Sequence, residues 1–363
     1  MKNTNQHLTI VIPTYNESVN IQPLIERIHQ NLVGNSYDVL IVDDNSPDGT
    51  SDRVRDLAAT YPISVVVRKD KRGLASAVVD GFQLAKGDFL AVMDADLQHP
   101  PEILSQLLDA ANGGADLVIA SRYVKGGSVG NWSALRRFIS AGAGWLAHLV
   151  LPSTRKVKDP MSGCFLFDRE ILSGVTLSPV GYKILLEILC LSKAQKVAEV
   201  PYRFENRRAG KTKLSMITQT DYIRHLLSLM WRCGEAARII KFMSVGATGA
   251  VVNLSLLALL TDNEAPLVEL LVSGALAFEA AVIWNFILND HFTFRDRHRS
   301  VGGFFGRLWR FNVISLGGLG IYLGTLALLT ETLGLFYIVS AAIGIVAAFG
   351  WNFLVNNWWT WRE

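Results

Sequence analysis

The sequence predicts an α/β domain built on a mainly parallel sheet flanked by helices, followed by an interfacial helix and an all-α transmembrane domain of four helices. Three observations carry this. Short apolar, β-branched runs alternate with helix-length amphipathic stretches through the first part of the chain. Charge then breaks sharply: residues 1–241 hold 53 of the 67 charged side chains, whereas residues 242–363 hold 14 and no lysine. The charge-poor remainder divides into apolar stretches near the roughly 20 residues a spanning helix needs. The expected boundaries are 1–213 for the first domain, 214–238 for the interfacial helix and linker, and 239–363 for the membrane domain.

Residues 8–12, 39–42, 63–67, 89–93 and 117–120 are the expected strands. Continuous apolar runs of this kind suit parallel strands covered on both faces, and ligands of such sheets collect at the strands' carboxyl ends. The loops at those ends are polar: Pro13-Thr14-Tyr15-Asn16-Glu17, Asp43-Asp44-Asn45-Ser46-Pro47-Asp48-Gly49-Thr50, and Asp94-Ala95-Asp96-Leu97-Gln98. Any one of them reads equally well as a helix cap or a turn. Three in register are hard to explain that way.

A formal charge of +3, with basic and acidic residues interspersed, does not point to a nucleic-acid binder. Cys164, Cys190 and Cys233 lack metal-ligand spacing, and a reducing compartment is expected. Residues 1–7 are polar and run straight into the first strand, so no secretory signal is expected and the first domain should stay cytosolic.

Asp94 and Asp96, two apart on a strand-end turn, can both approach a hard cation shared with substrate phosphates, and Gln98 adds a neutral oxygen beside them. Such a cation offsets charge that builds as a nucleoside diphosphate leaves. The start P-T-Y-N-E together with V-D-D-N-S-P-D-G-T, D-A-D-L-Q-H-P-P-E and S-R-Y resembles the family-2 glycosyltransferases, in the dolichol-phosphate mannose synthase branch, over residues 8–235. The resemblance implies a nucleotide-sugar-binding GT-A-like domain and a bound Mg2+ or Mn2+. In it Pro13, Tyr15, Glu17, Val42 and Asp44 hold the nucleotide, while Asp94, Ala95, Asp96 and Gln98 surround metal and diphosphate, Asp96 and Gln98 as direct ligands. In the basic stretch from Arg207 to Ser215, the positions matching the family's diphosphate-reaching Arg and Lys are Arg207 and Lys213. A glycine-containing cationic loop of this kind suits a lid that closes over phosphates and excludes water.

Arg122 follows the fifth strand, and Ser133, Arg136 and Arg137 lie where an amphipathic helix opens. Arginine's planar fork suits phosphate, so these four residues are expected to cradle an acceptor phosphate, with interfacial arginines as the plainer reading. A phosphate monoester is anionic at neutral pH and needs no strong general base. Asp96 and Arg122 are therefore the expected catalytic residues of one in-line displacement that inverts the anomeric carbon. His99, before Pro100-Pro101-Glu102, reads as structural as readily as catalytic; Asp159 to Gly163 resembles a family segment near the acceptor; Lys183 and Glu187, four apart, read as a helical ion pair.

In the second part, residues 242–260, 311–330 and 332–361 carry no charge, and residues 265–289 carry Glu269 and Glu279. The loop holding Arg295, Arg297, Arg299, Arg307 and Arg310 faces the side opposite Asp262, Glu264 and Glu331, which places both termini in the cytoplasm of a cell-membrane protein. Residues 284–294 (W-N-F-I-L-N-D-H-F-T-F) repeat as residues 351–361 (W-N-F-L-V-N-N-W-W-T-W), indicating duplicated helical hairpins. The module resembles the GtrA-like domain of sugar-lipid pathways. Residues 222–231 read as an interfacial amphipathic helix, and Glu279 as either functional or a protonated or interhelically paired carboxyl.

The resulting expectation is transfer of one mannose from GDP-mannose to dolichyl or polyprenyl phosphate. The alternatives are a UDP-glucose donor or, in another class, a lipid-carrier binder or translocator with a vestigial transferase half. Residues 44, 94, 96, 98, 122, 207 and 213 are all intact, which argues against a vestige.

Overall fold

The computed structural model describes residues 6–70, 73–205, 216–260, 267–297 and 303–362. Arg207 and Lys213 lie outside them, as do Asp262, Glu264 and Arg299. Two compact units divide the chain, residues 1–233 and 234–363.

In chain order the first unit runs β1 (Leu8–Thr14), α1 (Ser18–Asn31), β2 (Tyr37–Asp43), α2 (Thr50–Leu57), β3 (Ile63–Val67), α3 (Leu74–Leu84) and β4 (Phe89–Val92). It continues through α4 (Ile103–Asn112), β5 (Leu117–Ser121), α5 (Ala134–Val150), β6 (Phe165–Asp168), α6 (Ile184–Leu191), β7 (Val197–Pro201) and α7 (Met216–Arg232). The seven strands form one sheet in the order β3-β2-β1-β4-β6-β5-β7. Strand alternation splits the core into two layers. Leu8, Ile10 and Ile12 face α1 and α4 through Ile21, Leu24, Ile28, Leu104 and Leu107. Val11, Leu40 and Val42 face α3 and α6 through Val78, Phe82, Leu185 and Ile188.

The Gly-Cys-Phe-Leu-Phe strand expected after Asp159–Gly163 is present as β6, but its direction and the strand β7 were not anticipated. β7 pairs parallel with β5 at the sheet edge, and β6 is antiparallel to both β4 and β5. The reversal matters because it brings the start of β6 to the edge where β4 and β5 end. Asp159 to Cys164 therefore stands beside the polar loops.

α7 packs on α5 and α6 through Leu226 and Leu229, against Ala147, Leu151 and Leu186. Its opposite face leaves Ile223, Leu227 and Trp231 exposed, and α5 leaves Leu135, Phe138 and Trp145 exposed. Both helices expected to be amphipathic thus present apolar rows to the surroundings, the pattern of helices lying in a bilayer interface.

The second unit comprises α8 (Glu235–Leu260), α9 (Leu267–Leu288), α10 (Phe304–Glu331) and α11 (Tyr337–Val355). All four are long and apolar enough to cross a membrane. α8 pairs with α9, and α10 with α11. The sequence repeat is also structural: α9 and α11 each run into a π-helical turn, Asn289–Thr293 and Asn356–Thr360. Asn285 and Asn352 lie against Gly249 and Gly318, where an added Cβ would stand 2.2 and 2.5 Å from the amide. Arg307 forms a buried two-point pair with Asp290 at 2.8 and 2.9 Å, and the Trp361 indole donates to the same carboxylate at 2.8 Å. Glu279 accepts from Asn312, so the interhelical reading of that residue holds.

Candidate active site

The β4 turn is locally strained. Leu97 is fully buried yet has φ 60°, a left-handed conformation that costs a non-glycine residue on the order of 1–2 kcal/mol. The strain is held in place because the Asp96 Oδ1 accepts the Gln98 N–H at 3.1 Å and Gln98 O accepts the Glu205 N–H at 3.0 Å. Asp96 is buried, and Asp94 keeps 30 % of its side chain exposed. On the neighbouring strand end, a Cβ on Gly163 would stand 2.8 Å from Asp94 Oδ2 and 3.3 Å from the His99 ring. Only glycine leaves the Asp94 carboxylate in its place, so Gly163→Ala should lower turnover by about 10²-fold, the cost of roughly 1 Å of misplacement. Steady-state rates alongside an unchanged melting temperature would check it.

Two carboxylates and an amide oxygen at this turn form a hard oxygen set suited to Mg2+ or Mn2+. Among the described residues no group of three or more His, Cys, Asp or Glu side chains forms a cage. A partial protein shell of this kind fits a cation that completes its coordination with substrate phosphates.

The β1 and β2 loops are tied together. Thr14 Oγ1 donates to Asp43 at 2.8 Å, the Asp44 N–H donates to Thr14 O at 3.0 Å, and the Glu17 N–H donates to Thr50 Oγ1 at 3.1 Å. Pro13 stands opposite Val42 in the β1–β2 register, and Tyr15 is half-buried beside them. Asp44 is more committed than the sequence implied. Its Oδ1 accepts Arg68 Nε at 2.7 Å and its Oδ2 accepts the Gly73 N–H at 2.7 Å, while Arg68 also reaches Asp80 at 3.0 Å. Arg68 is the residue that sequence reasoning missed here; no motif marks it.

Arg122 is buried and held by Asp159 through Nε at 2.8 Å, Nη2 at 2.7 Å and its own backbone N–H at 3.0 Å. Burial works against its charge, but the Asp159 hydrogen bonds and field outweigh it and raise the pKa. The guanidinium lies 5.2 Å from the Trp132 ring, and that of Arg136 lies 4.2 Å from the same ring. Two of the expected phosphate-binding arginines therefore meet on one indole. The other residues of that expectation do not join them: Ser133 caps α5, accepting the Arg136 N–H at 3.3 Å, and Arg137 reaches back to Gly130 O at 3.4 Å.

His99 links the two clusters. Its Nδ1 is 3.7 Å from Asp94 Oδ2, its ring stacks on Tyr202 at 5.2 Å and meets Phe204 edge-on at 5.7 Å. Phe204 in turn stands 5.2 Å from Trp132 and 5.9 Å from both Arg122 and Arg136. Burial depresses the His99 pKa to about 4, with the Asp96 charge opposing, so the imidazole is neutral at pH 7 and forms part of the wall. Lys183 is not in a helical pair with Glu187. It donates to Met161 O at 2.9 Å, in the same loop as Asp159 and Gly163, and burial with the nearby Arg122 charge lowers its pKa to about 8. Glu187 is instead fully buried and bonded to Arg232 of α7, with His225 at 3.5 Å.

Comparison with known proteins fits this geometry. The model of glycosyl transferase family 2 matches residues 9–176, and that of the GtrA/DPMS transmembrane domain matches residues 241–361. A dolichol-phosphate mannosyltransferase of Pyrococcus furiosus is 42 % identical over 354 residues, covering 98 % of this chain and 99 % of that one. The chain belongs to the dolichol-phosphate mannosyltransferase family. Members with less overlap include a Mycosarcoma maydis dolichol-phosphate mannosyltransferase, 37 % identical over 61 % of this chain and 78 % of its own. A polyprenol monophosphomannose synthase of Mycolicibacterium smegmatis is 38 % identical over 58 % of this chain and 82 % of its own. The glucosyl-3-phosphoglycerate synthase of Mycobacterium tuberculosis, solved with Mn2+, UDP-glucose and phosphoglyceric acid, has the fold of the first unit. Its TM-score is 0.50 at 19 % identity, over 63 % of this chain and 80 % of that one.

Proposed function

We propose that this chain is an inverting mannosyltransferase that moves one mannose from GDP-mannose to a polyprenyl or dolichyl phosphate at the cytosolic face of the cell membrane. The observation that carries the reading is the continuous wall from Asp94 through His99, Phe204 and Trp132 to Arg122 and Arg136. It puts a carboxylate turn suited to a metal-bound diphosphate and a pair of guanidiniums suited to a lipid phosphate on one surface. The cytosolic orientation is supported by the arginines at 295, 297, 299, 307 and 310.

In this reading Pro13, Tyr15, Glu17, Val42 and Asp44 line the nucleotide, with Arg68 holding Asp44 and Ala95 lying against the diphosphate. Asp94, Asp96 and Gln98 hold the divalent cation, Mg2+ or Mn2+, which supplies charge neutralisation for the departing diphosphate. Arg207 and Lys213 reach that diphosphate from the basic segment. Arg122 and Arg136 orient the acceptor phosphate, while Ser133, which caps α5, and Arg137, which bonds to Gly130 O, stand outside that pair. One phosphate oxygen forms the new bond to the anomeric carbon while the bond to the diphosphate oxygen breaks and its electrons leave with GDP. No proton moves, because the attacking oxygen is already anionic. Direct attack gives the β-linked lipid.

Full-length protein incubated with polyprenyl phosphate and labelled GDP-mannose or UDP-glucose tests this. Label should enter the organic phase from GDP-mannose only, and EDTA should abolish it. Transfer from UDP-glucose alone, or undiminished transfer in EDTA, would overturn the donor or the metal assignment respectively.

A further inference from the structure

A cavity of about 710 Å3 opens in the second unit between the start of α8 and the turn that ends α9, with Arg238, Lys241, His291, Phe292, Arg295 and Asp296 in its lining. Its charges are unequal. Arg238 is bonded to Glu235 and to Asp296, the latter at 2.7 Å, so both members of that pair are satisfied. Lys241 lies 4.9 Å from the Phe292 ring centre, Arg295 is exposed, and among the described residues neither has a carboxylate within ion-pair distance. His291 is fixed by its Nδ1 donating to Ile287 O at 3.0 Å. The lining therefore carries a surplus of positive charge beside an exposed aromatic ring, at the end of a spanning hairpin.

The internal repeat makes the surplus informative. Residues 238–242 (R-I-I-K-F) recur as 307–311 (R-L-W-R-F). In the second copy Arg307 is taken by the Asp290 carboxylate, and Arg310, also without a carboxylate among the described residues, donates to Trp359 O at 3.4 Å. In the first copy Arg238 is likewise taken, and Lys241 lies over the face of Phe292, the residue equivalent to Trp359. The two copies thus differ in what the second cation meets, a backbone carbonyl in one and an aromatic face in the other.

We infer that this open site binds the phosphate head group of a membrane lipid, with Lys241 and Arg295 as its cations and Phe292 against the lipid's glycerol or first isoprenyl carbons. A lipid fits better than a soluble anion because the site combines cations with an exposed ring at the ends of two helices of membrane-spanning length. It lies in the membrane unit and uses none of the residues assigned to transfer.

Native mass spectrometry of the full-length protein in detergent, with equal amounts of phosphatidylglycerol or phosphatidylcholine, reads the site directly. Phosphatidylglycerol adducts should exceed phosphatidylcholine adducts and fall about tenfold in Lys241→Gln/Arg295→Gln, since each cation near an anionic head group contributes several-fold in affinity. The charge-conserving pair Lys241→Arg/Arg295→Lys should retain them, which separates lost charge from lost fold. Polyprenyl phosphate that displaces phosphatidylglycerol would mark a holding site for acceptor or product; failure to displace it would mark bulk anionic lipid. Equal binding of the two phospholipids, undiminished adducts in the glutamine variant, or displacement by inorganic phosphate would overturn the inference.

Discussion

Asp96→Asn is expected to reduce mannosyl transfer by on the order of 10³-fold, the scale seen when one preorganised group that stabilises developing charge is removed. The substitution keeps the side chain's shape and leaves Oδ1 able to accept the Gln98 N–H, now 3.1 Å away, so the Leu97 turn should survive. What disappears is one negative charge from the oxygen set. Initial rates measured across a metal titration, with the melting temperature as a control, check this. Activity within tenfold of wild type at saturating metal would remove Asp96 from the metal site.

Asp159→Ala should produce the largest loss of stability. It strands Arg122, buried and otherwise paired at 2.7 and 2.8 Å, without its counter-charge, and breaking a buried pair in this way costs about 3–5 kcal/mol. Transfer should fall as well, because Asp159 is what aims Arg122 along Trp132. Removing both partners distinguishes the two effects. Arg122→Met/Asp159→Leu should regain much of the lost stability, since an apolar replacement of a buried pair is often neutral or better, yet it should stay inactive. Denaturant unfolding together with transfer assays would decide, and an active double variant would take Arg122 out of the reaction.

Much of the site was legible because its residues sit where local rules are strict. Strand ends in a parallel sheet must place ligand-binding groups at their carboxyl termini, so three polar loops after apolar runs marked the site before any contact was visible. Asp94, Asp96 and Gln98 fell within one such loop. The partners of Asp44 and Arg122 were less legible: Arg68 was not marked at all, and Asp159 was marked only within a segment resembling one near the acceptor. Arg68 and Asp159 each form a buried pair with a residue distant in sequence, and no spacing rule connects position 44 to 68 or 122 to 159. Lys183 and Glu187 misled for the opposite reason: four-residue spacing predicts a helical pair, but Lys183 precedes the first residue of α6 and turns to Met161 O instead.

By itself the sequence determined the class of each half, the strand-end loops, the four spans and the duplicated hairpin. Those features follow from hydrophobic period and charge density, which are local properties of the chain. Tertiary structure alone decided that β6 runs antiparallel and delivers Gly163 to Asp94. It also brought Arg122 and Arg136 together on Trp132 while Arg137 turned away, and gave Arg310 a carbonyl partner where Lys241 meets the Phe292 ring. Each of these depends on which distant groups are brought within hydrogen-bonding or van der Waals range, and such short-range forces act only once the chain has folded.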